Sequence, residues 1–333
     1  MVVALEHFRR VLGEDCELIV VDDGGEDATP EWVQEECAQA RLIRRPSNGG
    51  FSTACNTGIA SCRGRVVALL NNDLRVEPDY FVHLYPHFEN GSVFAVTARA
   101  FEWDPPIFAA GGKVGRFRRG FWSLEFNYDV EVNSSNAWIE HRRLLSAYAV
   151  GGFACYDRAK LKNLGGFNEL LSPFLWEDSD LSYRAWKRGW EIHYEPRSRV
   201  RHQISATIDS NYQKHFVKIT SIRNRLLFHW INLHSTSYLV RHLMMLALLL
   251  STRFLVLDFG FYRAFFGALH RLRPALACRK RERKKAKRTD VELFDLLQKF
   301  YAEAPVRVFR NQEEVIQHHI GPAKLGVQQD GLV

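Results

Sequence analysis

The sequence has no CxxC pair among its six cysteines (Cys16, Cys37, Cys55, Cys62, Cys155 and Cys278) and no signal-peptide pattern at its amino terminus. That argues against a disulfide framework or a cysteine-rich metal site as an organising device. Reduced, structurally buried thiols in a cytosolic compartment are expected instead. Also lacking is an unbroken apolar run of the roughly 20 residues that a membrane span needs. Leu243 to Leu250 is apolar, but Arg241, His242, Arg253 and Asp258 interrupt the wider stretch from Tyr238 to Leu257. An interfacial helix pair is the expectation there. Nor is there any basic excess outside one block: residues 271 to 288 hold ten Lys/Arg and one Glu, net +9, which leaves −2 for the rest of a chain whose total is +7. That block contains no aromatic residue, which argues against a nucleic-acid-binding face, where bases stack on interleaved rings. Beside apolar helices it suits an anionic membrane surface, and places the protein at the inner face of the plasma membrane.

What is present is a chain of 333 residues, 46% hydrophobic, enough for one large domain with an appendage. Its chemistry is densest at Phe174 to Trp190, FLWEDSDLSYRAWKRGW. Asp178 or Ser179 can cap a helix, with Leu181, Ala185 and Trp186 on one face. Lys187 and Arg188 make a cationic last turn before Gly189. One cap needs one carboxylate, yet Glu177, Asp178 and Asp180 stand together behind Phe174, Leu175 and Trp176. A carboxylate beside apolar rings gains proton affinity and suits base work.

Short apolar strands precede this helix, each running into a polar loop. Glu17 to Val21 ends at Asp22, Asp23, Gly24 and Gly25, and Leu42 to Arg45 leads through Asn48, Gly49, Gly50 and Phe51 to a small-residue helix over 52–60. Arg65 to Leu70 meets Asn71, Asn72 and Asp73. Open α/β sheets bind ligands at such carboxyl ends, although each loop alone also reads as ordinary turn chemistry. Val93 to Ala98 and Glu191 to Tyr194 read as further strands, the latter ended by Pro196, with His202 beyond it. Residues 101–143 are irregular, and Val291 to Phe300 in the polar tail suits one more amphipathic helix.

Taken in order, these segments resemble the inverting family 2 glycosyltransferases. The family's (F/W)-x-E-D-x-D-L motif with R-x-x-x-x-G is met by Glu177, Asp178, Asp180, Leu181, Arg184 and Gly189. Its N-x-G-F-x-x-A-x-N-x-G is met by Asn48, Gly50, Phe51, Ala54, Asn56 and Gly58. R-x-x-L-x-x-L-G-G-F-N-E at Arg158 to Glu169 resembles its G-G-F-D-E turn, and Arg223 with Asn224 its R-N segment. The resemblance implies a GT-A fold, α/β with a mostly parallel sheet covered by helices. It implies Asp178 as general base, with Glu177, Trp176 and Gly152 on the acceptor side. Asp22, Asn48, Gly50, Asn56 and Asn72 would bind a UDP- or dTDP-linked sugar. Asp73, Asn71, standing where the family's D-x-D begins, and His202 would hold Mg²⁺ or Mn²⁺. A lipid-linked or glycan acceptor is implied, and the layout is most similar to the bacterial rhamnosyltransferase-type branch that builds cell-surface polysaccharide. The family's opening strand, S-V-I-I-P-x-Y-N, finds no match, since Met1 stands at or after the first helix. An upstream strand is therefore expected; the alternative is a truncated or inactive relative that only binds nucleotide or glycan. Three parts are expected: a catalytic domain over 1–230, interfacial helices over 231–275, and a basic run and tail over 276–333.

Overall fold

The computed structural model describes residues 16–104, 106–130, 143–203, 212–310 and 314–315. Residues 1–15 and most of the tail after 310 lie outside them. Strand β1 (Leu18–Asp22) is rich in β-branched residues and pairs in parallel with β2 (Ala40–Arg44), from Leu18 opposite Ala40 to Asp22 opposite Arg44. Between them runs α1 (Thr29–Glu36), with proline in its first turn. Then follow α2 (Phe51–Ser61), β3 (Val66–Leu70), β4 (Leu74–Val76), α3 (Tyr80–Leu84), β5 (Val93–Glu102) and β6 (Phe108–Ala110). Strands β7 (Gly112–Arg118) and β8 (Phe121–Val130) form a hairpin whose turn residues, Arg119 and Gly120, both have positive φ (48° and 75°), as a tight two-residue connection requires. After β9 (Phe153–Asp157) come α4 (Arg158–Leu164), α5 (Glu177–Lys187), β10 (Glu191–His202) and α6 (Lys214–Asn232). The carboxyl-terminal part adds α7 (Thr236–Leu255), α8 (Phe259–His270), α9 (Leu272–Lys285), α10 (Asp290–Glu303) and β11 (Val306–Phe309).

The central sheet runs β3-β9-β5-β10-β4, with β6 on the edge of β5. It is mixed where a mostly parallel sheet was expected: β5 and β10 are parallel, but β9 enters between β3 and β5 antiparallel to both. Apolar run length reports burial and is blind to direction, so strand composition could not show this. Pro196 does not end its strand. Strand β10 continues to His202 across a register shift between Glu195 and Arg199 that accommodates the proline. Within 101–143, expected to be irregular, the described residues include the β7–β8 hairpin, and β11 from the tail completes that small sheet on β8.

Helix α5 begins one residue earlier than its expected caps, at Glu177, after a Trp176 in the left-handed region (φ 75°). It is buried on nearly all sides, Ser182, Tyr183, Arg184 and Lys187 included, because α4, α6, β10 and α10 all pack against it. Its charges beyond the first two residues are consumed internally. Arg184 Nε meets Asp180 Oδ2 at 2.7 Å, and Asn232 donates to the other Asp180 oxygen. Helix α10 opens with a capping box, Thr289 with Glu292, and inserts Leu293, Phe294, Leu297 and Phe300 into the core beside Trp122, Tyr183 and Trp186. Lys187 pairs with Asp290 at 2.5 Å, and Tyr183 donates to the same carboxylate. Residues 290–309 are thus built into the domain whose boundary the sequence placed at 230. Among the cysteines, Cys37 and Cys155 are buried and Cys16 is exposed, against the expectation of burial throughout. Helix α7 is continuous through Arg241 and His242. By length and composition it is long and apolar enough to cross a membrane, although the unbroken apolar run within it is short.

Candidate active site

Asp178 stands in the first turn of α5. One carboxylate oxygen accepts from the Gly151 N–H at 2.9 Å, while the other is buried without a partner. A Cβ on Gly151 would sit 2.2 Å from that second oxygen, so only glycine lets the backbone come this close. Burial pushes the Asp178 carboxyl up, and the Gly151 N–H and the nearby Lys113 ammonium pull it part of the way back. Glu177 is raised by its own burial and then by the charge of Asp178, and its Oε2 also has no partner. Two adjacent buried carboxyls with open oxygens are poised to take or share a proton.

Gly152, the next residue, lies against a different loop. Its carbonyl accepts from Asn71 N at 2.9 Å, and a Cβ there would be 2.8 Å from the Asn71 side-chain nitrogen. The Gly151–Gly152 pair therefore joins the carboxylates of α5 to the Asn71–Asp73 loop that follows β3. Gly152 itself packs on that loop. Asp73 Oδ2 lies 3.4 Å from His202 Nε2 at the end of β10, and Asp73 Oδ1 is buried without a partner. An orphaned carboxylate oxygen whose partner oxygen lies beside an imidazole fits a divalent cation completed by oxygen ligands from elsewhere. Among the described residues no group of three or more His, Cys, Asp or Glu could hold a metal by itself. Asn72 is exposed in the turn between Asn71 and Asp73.

The other predicted ligand residues line up along β1 and α2. Asp22 is buried at the end of β1, accepting from Gly25 N at 2.9 Å and lying 3.4 Å from Arg44. The neighbouring Asp23 accepts from Gly49 N and Gly50 N and pairs with Arg45 at 2.6 Å. Gly50 has φ 83°, and a Cβ there would be 2.8 Å from the Pro173 carbonyl, which also accepts from Phe51 N. The β1 loop, the Gly49–Gly50 loop and the approach to Asp178 are thus stitched into one wall. Asn48 spends its side-chain oxygen on Gly50 N. Asn56 serves the wall structurally: its amide brackets the Phe167 backbone on both sides and donates to Glu169. Trp176 packs its ring on Phe228 and His229.

Lys113, on β7, escaped the sequence reading. It is 8% exposed, its ammonium donates to Asn127 Oδ1 at 2.7 Å and lies over the Tyr148 ring, and burial lowers its pKa to about 8 against the opposing charge of Asp178. No local signal marked it, because it belongs to a stretch that looked irregular. Asn224 is marked in the sequence only by the R-N pattern. Its side-chain nitrogen faces the carbonyls of Leu171, Phe174 and Leu175 at 2.5 to 2.9 Å, two protons shared among three acceptors. Arg223 donates to the Ser172 carbonyl. The R-N segment of α6 therefore holds the loop that delivers Glu177 and Asp178.

Comparison with known proteins gives one family match, "Glycosyl transferase family 2", over residues 3–130. The chain is 25% identical over 188 residues to the beta-monoglucosyldiacylglycerol synthase of Trichormus variabilis, covering 53% of this chain and 36% of that protein. It is 27% identical over 189 residues to the pre-mycofactocin glycosyltransferase of Mycobacterium tuberculosis, covering 56% and 37%. It therefore spans little more than a third of the length of these curated relatives. Among solved structures, GalNAc-T7 with UDP, GalNAc and Mn²⁺ aligns with a TM-score of 0.49 at 15% identity, covering 65% of this chain and 41% of that one.

Proposed function

We propose, from the match of residues 3–130 to the glycosyl transferase family 2 model and from the α/β fold around Asp178, that this protein moves a sugar from a nucleoside-diphosphate sugar to an acceptor hydroxyl with inversion, Asp178 serving as base. The observation that carries this reading is the Gly151–Gly152 bridge. It sets a buried carboxylate with an open oxygen beside the loop of Asn71 to Asp73. The acceptor hydroxyl gives its proton to Asp178 as its oxygen bonds to the anomeric carbon. The bond from that carbon to the diphosphate breaks, and the electron pair leaves with the nucleotide. Glu177, raised by burial and by the charge of Asp178, is the member of the pair that holds its proton. Lys113 holds Asp178 ionised, and the Asp22 to Gly50 wall positions the donor. Asp73 and His202, with Asn71, would hold Mg²⁺ or Mn²⁺, which when bound neutralises charge on the leaving diphosphate.

The donor in this reading is a UDP- or dTDP-linked sugar. The acceptor is a lipid-linked or glycan hydroxyl in bacterial surface-polysaccharide synthesis, with the rhamnosyltransferase-type branch as first choice. Relatives named as a beta-monoglucosyldiacylglycerol synthase and as a pre-mycofactocin glycosyltransferase support a glycosyl acceptor without fixing which one. The test measures nucleoside diphosphate release across a panel of nucleotide sugars. Asp178→Asn should lose on the order of 10²- to 10⁴-fold in transfer while calorimetry finds donor binding unchanged. Turnover within about threefold of wild type would remove Asp178 as the base. A binding-only protein is the second reading, favoured by the amide of Asn71 in the metal loop; it predicts donor affinity without product from any sugar in the panel.

A further inference from the structure

The outer face of α7 runs against ordinary amphipathic logic. His242 and Leu246 seat one side of the helix on the domain, His242 Nδ1 facing the Gly120 carbonyl at 3.0 Å. The opposite side presents Val240, Leu243, Met244 and Leu248 to solvent at helical spacing. The stripe continues through the end of α7 and around the corner to the start of α8, where Phe254, Leu255, Val256, Leu257 and Phe259 are each 63% exposed or more. Large apolar patches of this kind mark an interaction surface. Directly after α8 comes α9, with Lys280, Arg283 and Lys284 exposed on one face beside Leu276. The one acid of α9, Glu282, is buried against Arg188 at 2.6 Å and does not dilute the outward charge.

We infer that the 254–259 corner and the α7 stripe insert into a lipid bilayer, and that α9 reads its anionic headgroups. Charge decides between a bilayer and a second copy of this chain. Pairing two copies through this region would bring two polybasic helices together, whereas an anionic leaflet attracts both the basic face and, through its acyl layer, the apolar stripe. Anchorage of α7 through His242 and Leu246 makes it lie along the domain, so the contact is interfacial and does not span.

The test is co-sedimentation of the full chain with phosphatidylcholine vesicles with and without phosphatidylglycerol. Binding should be stronger to the anionic vesicles and should fall between 0.1 M and 1 M salt as the Debye length shrinks from about 10 Å to about 3 Å. Neutralising Lys280, Arg283 and Lys284 to Gln should weaken binding to anionic vesicles by on the order of a hundredfold, at roughly fivefold per cation, and leave neutral vesicles unaffected. Leu255→Glu with Leu257→Glu should weaken binding to both vesicle types by about tenfold or more. All replaced side chains are exposed, and matching thermal melts confirm folding. The salt series on the unaltered chain tests the idea without any variant. Wild type that ignores vesicles, binding indifferent to salt and lipid charge, or a wild-type dimer that the double Glu variant turns into monomer, would each overturn it.

Discussion

Asp178 has one oxygen committed to the Gly151 N–H and one free, and that asymmetry sets its pH behaviour. Only the ionised form can accept a proton, and burial raises the carboxyl above its ordinary range while Gly151 and Lys113 partly offset the rise. Activity should therefore be full above the raised pKa and be lost as pH falls through it, with the acid limb of kcat/KM above the ~3.9 of a free aspartate. Lys113→Met removes the opposing cation, so the limb should move to still higher pH, and Lys113→Arg should move it back. A pH–rate profile of the three proteins checks this; three superimposable limbs would detach Lys113 from the base. Asp178 was legible because E-D-x-D is a local pattern. Lys113 was not, because it lies 65 positions earlier in the chain and only β7 packing brings it near.

At the scale of elements, the loop before α5 stores strain. Leu175 and Trp176 both have positive φ (71° and 75°), worth about 1–3 kcal/mol each for non-glycine residues. The Asn224 amide holds their carbonyl neighbourhood from α6. Asn224→Ala leaves buried carbonyls unpaired at a cost of about 1–3 kcal/mol. It should lower kcat more than donor affinity, since Asp23 holds Gly49 and Gly50 directly and the Pro173 carbonyl is only one of the ties on that wall. A variant with a lower melting point and unchanged kcat would make Asn224 purely structural. On the other side of α5, burial would raise Asp290, but Lys187, the Ser235 N–H and the Tyr183 hydroxyl outweigh it and hold the carboxyl low. A lowered folded pKa means stability present above the unfolded pKa and lost as pH falls through the folded one. Asp290→Asn, leaving Lys187 without its counter-charge, should cost about 3–5 kcal/mol in denaturant titration at pH 7, and the deficit should shrink on acidification.

The whole molecule is more continuous than its sequence suggests. Removing residues 290–333 takes Leu293, Phe294, Leu297 and Phe300 out of the core. Each such loss costs about 2–5 kcal/mol against a total stability of about 5–15 kcal/mol. The shortened chain should show no cooperative thermal transition and no near-ultraviolet dichroism; a sharp melt near that of the full chain would show that the tail is an appendage after all. By itself the sequence determined the strands β1, β2, β3 and β5 to within a few residues, the helix carrying Glu177 and Asp178, the turn at Gly165 and Gly166, and the confinement of positive charge to one block. Those features rest on periodicity, caps and composition, which act over a few residues. Only the tertiary structure decided that β9 runs antiparallel inside the sheet, that Asn56 and Asp180 are spent on packing, that Gly151 and Gly152 join Asp178 to the Asn71–Asp73 loop, and that α10 is core. Each of these depends on partners far away along the chain, and a local pattern carries no record of which distant backbone will supply the missing hydrogen bond.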